Sequence, residues 1–237
     1  MVIKTNQPEN TVIQRLTETF AFFRTYFIDI SKFLLAVTFP VILLEAFGAY
    51  YLTKAGAPIE MHVLPSVIAF IYQPVYTAGL IYLISRKING KTWNLKEGFS
   101  FGLTCWGNLL FVNTLTLFIT LLGLFAFILP GLFLFARLSM AQFCVVLERL
   151  NPKEALIRSN QISKPFTFQI IGCSVFITLT LLIIDLLLQY FFGRVSLNHN
   201  FTMIITSVIF LILSANITIL LFRFYDLAIK KDQRILH

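Results

Sequence analysis

The sequence predicts an all-α protein built into a membrane: a polytopic bundle of six transmembrane helices with short amphipathic helices at the interface. Three observations predict it. Of 237 residues, 57% are hydrophobic and 13% are charged, against about 45–50% and about 25% in a soluble domain. Six apolar runs approach or exceed the roughly 20 residues that a helix needs to cross the hydrocarbon core. They are Phe33–Leu52, Val63–Ser85, Trp106–Leu129, Gly131–Leu147, Phe166–Phe191 and Phe201–Phe222. Third, Lys and Arg fall on alternate links between the runs, so they collect on one side of the membrane. The links are too short for a soluble domain, so residues 1–237 read as one integral membrane unit.

The N-terminal stretch MVIKTNQPENTVIQRL lacks the apolar segment of a cleaved signal peptide, so no processing is expected. Thr11-Val12-Ile13-Gln14 has the spacing of a capping box. Val12, Leu16, Phe20, Phe23 and Phe27 then follow at helical spacing and form one apolar stripe, with Arg15, Glu18 and Arg24 outside it. Residues 11–27 are therefore expected to form a helix lying in the interface.

Before or at the start of the first span lie Lys4, Arg15, Arg24 and Lys32. Between the second and third lie Arg86, Lys87, Lys91 and Lys96. Between the fourth and fifth lie Arg149, Lys153, Arg158 and Lys164, and after the sixth Arg223, Lys230, Lys231 and Arg234. Of the 19 Lys and Arg, only Lys54 and Arg194 fall on the opposite side, and Arg137 falls inside a span. Both termini are thus expected in the cytoplasm. The net charge of +8 belongs to span ends facing anionic lipid head groups, not to a nucleic-acid footprint, which would gather on one exposed domain.

Two of the basic links resemble each other. Asn94-Leu95-Lys96-Glu97 aligns with Asn151-Pro152-Lys153-Glu154. Asn is a good N-cap, Glu three residues on can reach back to it, and Pro at the first helical position loses no hydrogen bond. Each link should open a short helix followed by a transmembrane hairpin. With the N-terminal helix, this gives three units of interfacial helix plus hairpin.

Pro130-Gly131 interrupts an apolar stretch from Trp106 to Leu147, far longer than one span. Pro stops helix propagation and Gly permits a tight turn, so Leu129-Pro130-Gly131 is expected to be the outer turn of a hairpin. Counting residues from the span ends puts Arg137, Glu45 and Asp185 at one depth in the outer leaflet. An arginine in a span costs roughly 2.5–3.5 kcal/mol, and either acid would partner it; snorkelling to the outer surface is the alternative. Asn113, Gln142 and Asn216 are candidates for hydrogen bonds between helices.

The motifs of common enzymes are missing: no HExxH, GxSxG, P-loop or paired histidines. Cys105, Cys144 and Cys173 lie in or beside spans without metal-ligand spacing, and His62, His199 and His237 are scattered. No metal, cofactor or catalytic residue is expected.

One run of features does resemble a known family. In order these are Leu129-Pro130-Gly131, Arg137, Val146-Leu147-Glu148, the segment KEALIRSNQISK beginning at Lys153, and LLFRFYDL beginning at Leu220. The arrangement resembles the YciC-like family of bacterial inner-membrane proteins. It is also similar to the membrane region attached to some glycerophosphodiester phosphodiesterases. The resemblance is densest from about Leu121 onward; the N-terminal third agrees in layout. It implies a six-span protein of the bacterial cytoplasmic membrane connected with envelope or lipid physiology. The matching polar residues are Arg137, Glu148, Arg158, Ser159, Lys164 and Arg223, none with an assigned catalytic role. No phosphodiesterase activity comes with these motifs.

Two functions are expected from these readings. One is a non-catalytic protein of envelope or lipid homeostasis, in which Glu148, Arg158, Lys164 and Arg223 meet the head groups of anionic lipids at the inner rim. The other is a small-solute or ion-coupled transporter using the Glu45, Arg137 and Asp185 cluster, with Pro40, Pro65 and Pro74 interrupting its first two spans. The sequence is compatible with a homo-oligomer and with an envelope protein partner.

Overall fold

A computed structural model describes residues 12–56, 58, 61, 63–194 and 199–235, and among these every regular element is a helix. The order is α1 (Val12–Thr25), α2 (Phe27–Lys54), α3 (Leu64–Ile88), α4 (Leu95–Ala126), α5 (Ile128–Leu138), α6 (Ala141–Leu147), α7 (Pro152–Ile162), α8 (Thr167–Arg194) and α9 (His199–Ile235). A single 3-10 turn, Lys164–Phe166, joins α7 to α8. Six stretches are long and apolar enough to cross a membrane: Phe27–Lys54, Leu64–Ile88, Leu95–Ala126, Ile128–Leu147, Lys164–Phe192 and Ile204–Lys231. The protein is a multi-pass membrane protein, in the six expected places. The expected Thr11 cap, His62 and His237 lie outside the described residues.

Successive helices pack as neighbours, α2 on α3, α3 on α4, α4 on α5 and α8 on α9. The last helix closes the bundle, touching α1, α2, α3 and α8. Helices in lipid gain little from apolar burial, so close approach of backbones matters more. The α3–α4 seam runs through Gly79, Gly98 and Gly102: a Cβ at Gly102 would lie 2.3 Å from the Val75 carbonyl oxygen. The turns before the prolines inside α2 and α3 are met by neighbouring side chains. Tyr72 donates to the Val37 carbonyl at 2.8 Å, one turn before Pro40. Trp106 donates to the Ile71 carbonyl at 2.8 Å, one turn before Pro74. A proline loosens the ladder of the turn preceding it, and here a neighbouring side chain takes a carbonyl in that turn. Pro65 sits in the first turn of α3, where its missing N–H is harmless.

Both aligned links open a helix at the expected Asn, but only the second forms the reciprocal pair with its Glu; Glu97 takes the Tyr82 hydroxyl instead. Asn94 accepts the Lys96 N–H at 3.2 Å and opens α4; Glu154 accepts the Asn151 N–H at 3.3 Å and opens α7. Beyond the caps the two units differ. The helix opened by Asn94 runs without a break into its span, so α4 is 32 residues long. The helix opened by Asn151 stays separate, because α7 ends at Ser163 and the 3-10 turn.

The hairpin between the third and fourth spans exists, but Pro130-Gly131 is not its turn. The turn is the single extended residue Phe127 (φ −168°, ψ 157°). Pro130 lies in the first turn of α5, where no intrahelical N–H bond is lost. Gly131 packs against the facing helix: a Cβ there would be 2.8 Å from the Leu124 backbone nitrogen. The pair starts one helix and lets it press on another.

Candidate functional site

Arg137 lies in the last turn of α5, and its surroundings correct the outer-leaflet cluster. Its Nε donates to Asn160 Oδ1 at 2.7 Å, and its guanidinium lies 5.7 Å from the Phe133 ring. Its backbone carbonyl accepts the hydroxyls of Ser159 (2.8 Å) and Ser163 (3.0 Å). Asn160, Ser159 and Ser163 all belong to α7 or the residue after it. The helix breaks at Ser139-Met140, so the Ala141 N–H of a continuous helix is not there to take that carbonyl, and the serines supply the missing donors. Thus α7 folds back along α6 until its end meets Arg137.

The two acids lie elsewhere. Asp185 accepts from Gln189, one turn along its own helix, at 2.6 Å. From Thr167, where α8 begins beside the Arg137 seam, Asp185 is about 27 Å further along the axis. Glu45 lies near Tyr76 of α3. Among the described residues no ion pair joins Arg137 to either acid. Counting residues failed because it treated the fourth span as one straight rod with α7 lying apart from it. Asn216 likewise bonds within its own helix, to the Leu213 carbonyl at 2.9 Å, and not across an interface.

The residues expected at the inner rim divide into two groups. Glu148 at the end of α6 collects Arg158 (3.4 Å) and the Tyr225 hydroxyl (2.8 Å), and Tyr225 stacks on Phe143. Arg223 is held by α1: Nη1 meets the Glu18 carboxylate at 2.9 Å and Nη2 the Glu18 carbonyl at 3.1 Å. These pairs tie α6 to α7 and α9, and α1 to α9. Glu148, Arg158 and Arg223, expected at the head groups, thus each have a charged partner within the fold, with their side chains still partly exposed. Lys164, by contrast, is exposed.

The face of α1 that packs is not its most apolar one. Arg15, Thr19 and Phe23 are buried, a turn apart from one another, and the Arg15 guanidinium lies 5.3 Å from the Phe166 ring and 4.8 Å from Phe224. Burial lowers the Arg15 pKa, and Glu18 opposes the shift. The two aromatic faces make an arginine tolerable there. Of the expected stripe Phe20 (42%) and Phe27 (44%) stay exposed, and so does Ile13 (76%); α1 ends at Thr25, short of the expected 27, so Phe27 opens α2.

An open cleft of about 680 Å³ lies between α3, α4 and the end of α6. It was not foreseeable from periodicity, because its lining comes from two of the basic links and from residues that no single helix brings together. The only advance signal was the polar spacing Lys96, Ser100, Thr104, Asn108 along an apolar helix. Among the described residues no group of His, Cys, Asp and Glu is placed to hold a metal ion. Comparison of the chain with protein-family models, curated proteins and solved structures gives no match.

Proposed function

We propose that the protein is a non-catalytic, lipid-interacting protein of the bacterial cytoplasmic membrane, with both termini inside, acting in envelope or lipid homeostasis. The observation that carries this reading is the docking of α1. The helix is fixed to the bundle by Glu18, Arg223 and the buried Arg15–Phe166–Phe224 contact. It therefore presents Ile13 and Phe20 outward, beside the exposed Arg24, and Phe27 at the start of α2 is exposed next to it. Aromatic and aliphatic side chains next to a cation, on a helix at the membrane edge, suit the head-group region of anionic lipid. Exposed Lys164 adds to the same basic rim. The YciC-like resemblance, densest from about Leu121 onward, points the same way.

The reading is tested by native mass spectrometry of the full chain, released in mild detergent from its own membrane, with the retained lipids identified. Phosphatidylglycerol and cardiolipin should be enriched over phosphatidylethanolamine relative to the bulk membrane. Each basic residue near such a surface contributes about 1 kcal/mol. The double variant Arg24→Gln, Lys164→Gln should thus lose on the order of tenfold or more in retention. Lipids retained in bulk proportions would overturn the reading.

A further inference from the structure

We propose that the cleft between α3, α4 and α6 binds a phosphate ester, held between Arg149 and Lys96. This deepens the lipid-binding reading and rests on it for the physiological source of the phosphate. Four observations converge. Lys96, Ser100, Thr104 and Asn108 all line the cleft, each one helical turn from the last. They form a polar file about 18 Å long that runs from the basic rim into an apolar span. Second, Ser100 and Asn108 are exposed and make no hydrogen bond among the described residues. A carboxamide on a membrane-crossing helix is costly unless water or a ligand meets it.

Third, Arg149, just past the end of α6, also lines the cleft, with its backbone in the left-handed region (φ 56°). Among the described residues no other non-glycine residue has a positive φ. The chain end of α6 needs this conformation: Glu148 N–H and Leu150 N–H both turn back to the Cys144 carbonyl, at 3.1 and 3.3 Å. Glycine would adopt it without strain, so the helix end does not explain why arginine stands there. A strained backbone that carries a charged side chain into a cleft is a pattern of ligand sites. Fourth, the charges suit an anion. Two cations face the cleft against one carboxylate, Glu97, which sits 3.5 Å from the Tyr82 hydroxyl. Arginine and lysine with hydroxyl and amide donors are the groups that recognise phosphate.

The test is titration of the full chain in nonionic detergent with dihexanoyl phosphatidylglycerol and, separately, with glycerol 3-phosphate. Arg149→Gly removes the guanidinium and relieves the backbone, so its Tm should equal or exceed that of the parent while binding weakens at least tenfold. Lys96→Gln should weaken binding in the same direction, and Glu97→Gln should tighten it. Tighter binding of the lipid probe identifies a head group as the source; equal or tighter binding of glycerol 3-phosphate identifies a soluble ester. Either supports the site. Unchanged affinity in both Arg149→Gly and Lys96→Gln, or lost affinity in Glu97→Gln, would overturn it. The two proposals fail separately. If the parent and Arg149→Gly retain phosphatidylglycerol equally in native mass spectrometry and neither probe's affinity depends on Arg149, only the cleft is wrong. If neither retains it but glycerol 3-phosphate binding depends on Arg149, the lipid reading is wrong and the site stands.

Discussion

At the scale of single residues, the Arg137 seam separates two roles that one amino acid can play. Its guanidinium makes one bond from a half-buried position, while its carbonyl holds two serines that are fully buried. The backbone contact survives any substitution of the side chain. Arg137→Ala is therefore expected to cost about 1 kcal/mol, the worth of one hydrogen bond. Ser159→Ala with Ser163→Ala leaves the buried carbonyl without a donor and should cost about 2–3 kcal/mol. Thermal unfolding of both variants in detergent measures the order. An Arg137 variant that cost about 3–5 kcal/mol would instead mark a broken buried ion pair. The same division explains what could be foreseen at this scale. Arg137 stood out because a cation in an apolar span must find partners. Its partners did not stand out, because Ser159, Asn160 and Ser163 are ordinary polar residues of an amphipathic segment and become donors only once α7 folds back.

At the scale of elements, α4 shows how far pattern reaches. Its cap was written in Asn94, and its pairing with α5 in the length of the apolar stretch; Glu97, which the spacing sends back to the cap, takes the Tyr82 hydroxyl instead. The break between α5 and α6 was not, since Ser139-Met140 contains neither glycine nor proline; hydrogen bonds from α7 complete it, and those are tertiary. Pro130-Gly131 misled for a related reason. Both residues break helices in isolation, yet at the first turn a proline is harmless and a glycine can serve contact rather than bending. Contact is also what the glycines of α4 distinguish. Gly102→Ala would drive a methyl group to 2.3 Å from the Val75 carbonyl oxygen, on the backbone of α3, which cannot yield without moving the helix. Gly107, further along the same helix, has nothing within 4 Å of its Cβ position. Overpacking costs about 1–3 kcal/mol, whereas glycine to alanine in an open helical position is neutral or gains up to about 1 kcal/mol. Gly102→Ala should lower the Tm and Gly107→Ala should not; equal effects would mean that the α3–α4 seam is looser than its geometry.

At the scale of the whole molecule, packing and charge are distributed alike. The fully buried Phe33, Ile30, Ile84, Phe143, Ile170 and Phe224 lie towards the start of α2, the end of α3, α6, the start of α8 and the end of α9. At the other ends Phe47, Tyr51, Leu64, Phe125, Leu129, Leu187 and Phe191 are exposed. The buried ends are joined by Lys87–Asp29, Arg158–Glu148 and Arg223–Glu18. Arg137 meets the end of α7, the element that leads to Lys164 at the start of the fifth span, and among the described residues the exposed Lys54 lies at the opposite end. By the charge asymmetry of the links, the tightly packed, ion-paired end is the one expected to face the cytoplasm. In a cysteine-free background, Lys54→Cys and Lys153→Cys place single thiols at exposed positions on opposite ends. A membrane-impermeant maleimide applied to intact cells should label Lys54→Cys alone, and both after permeabilisation. Labelling of Lys153→Cys alone in intact cells would invert the bundle. It would put Lys96, Arg149 and the cleft outside the cell, where the phosphate they bind would have to come from the outer leaflet or from an ester outside the cell.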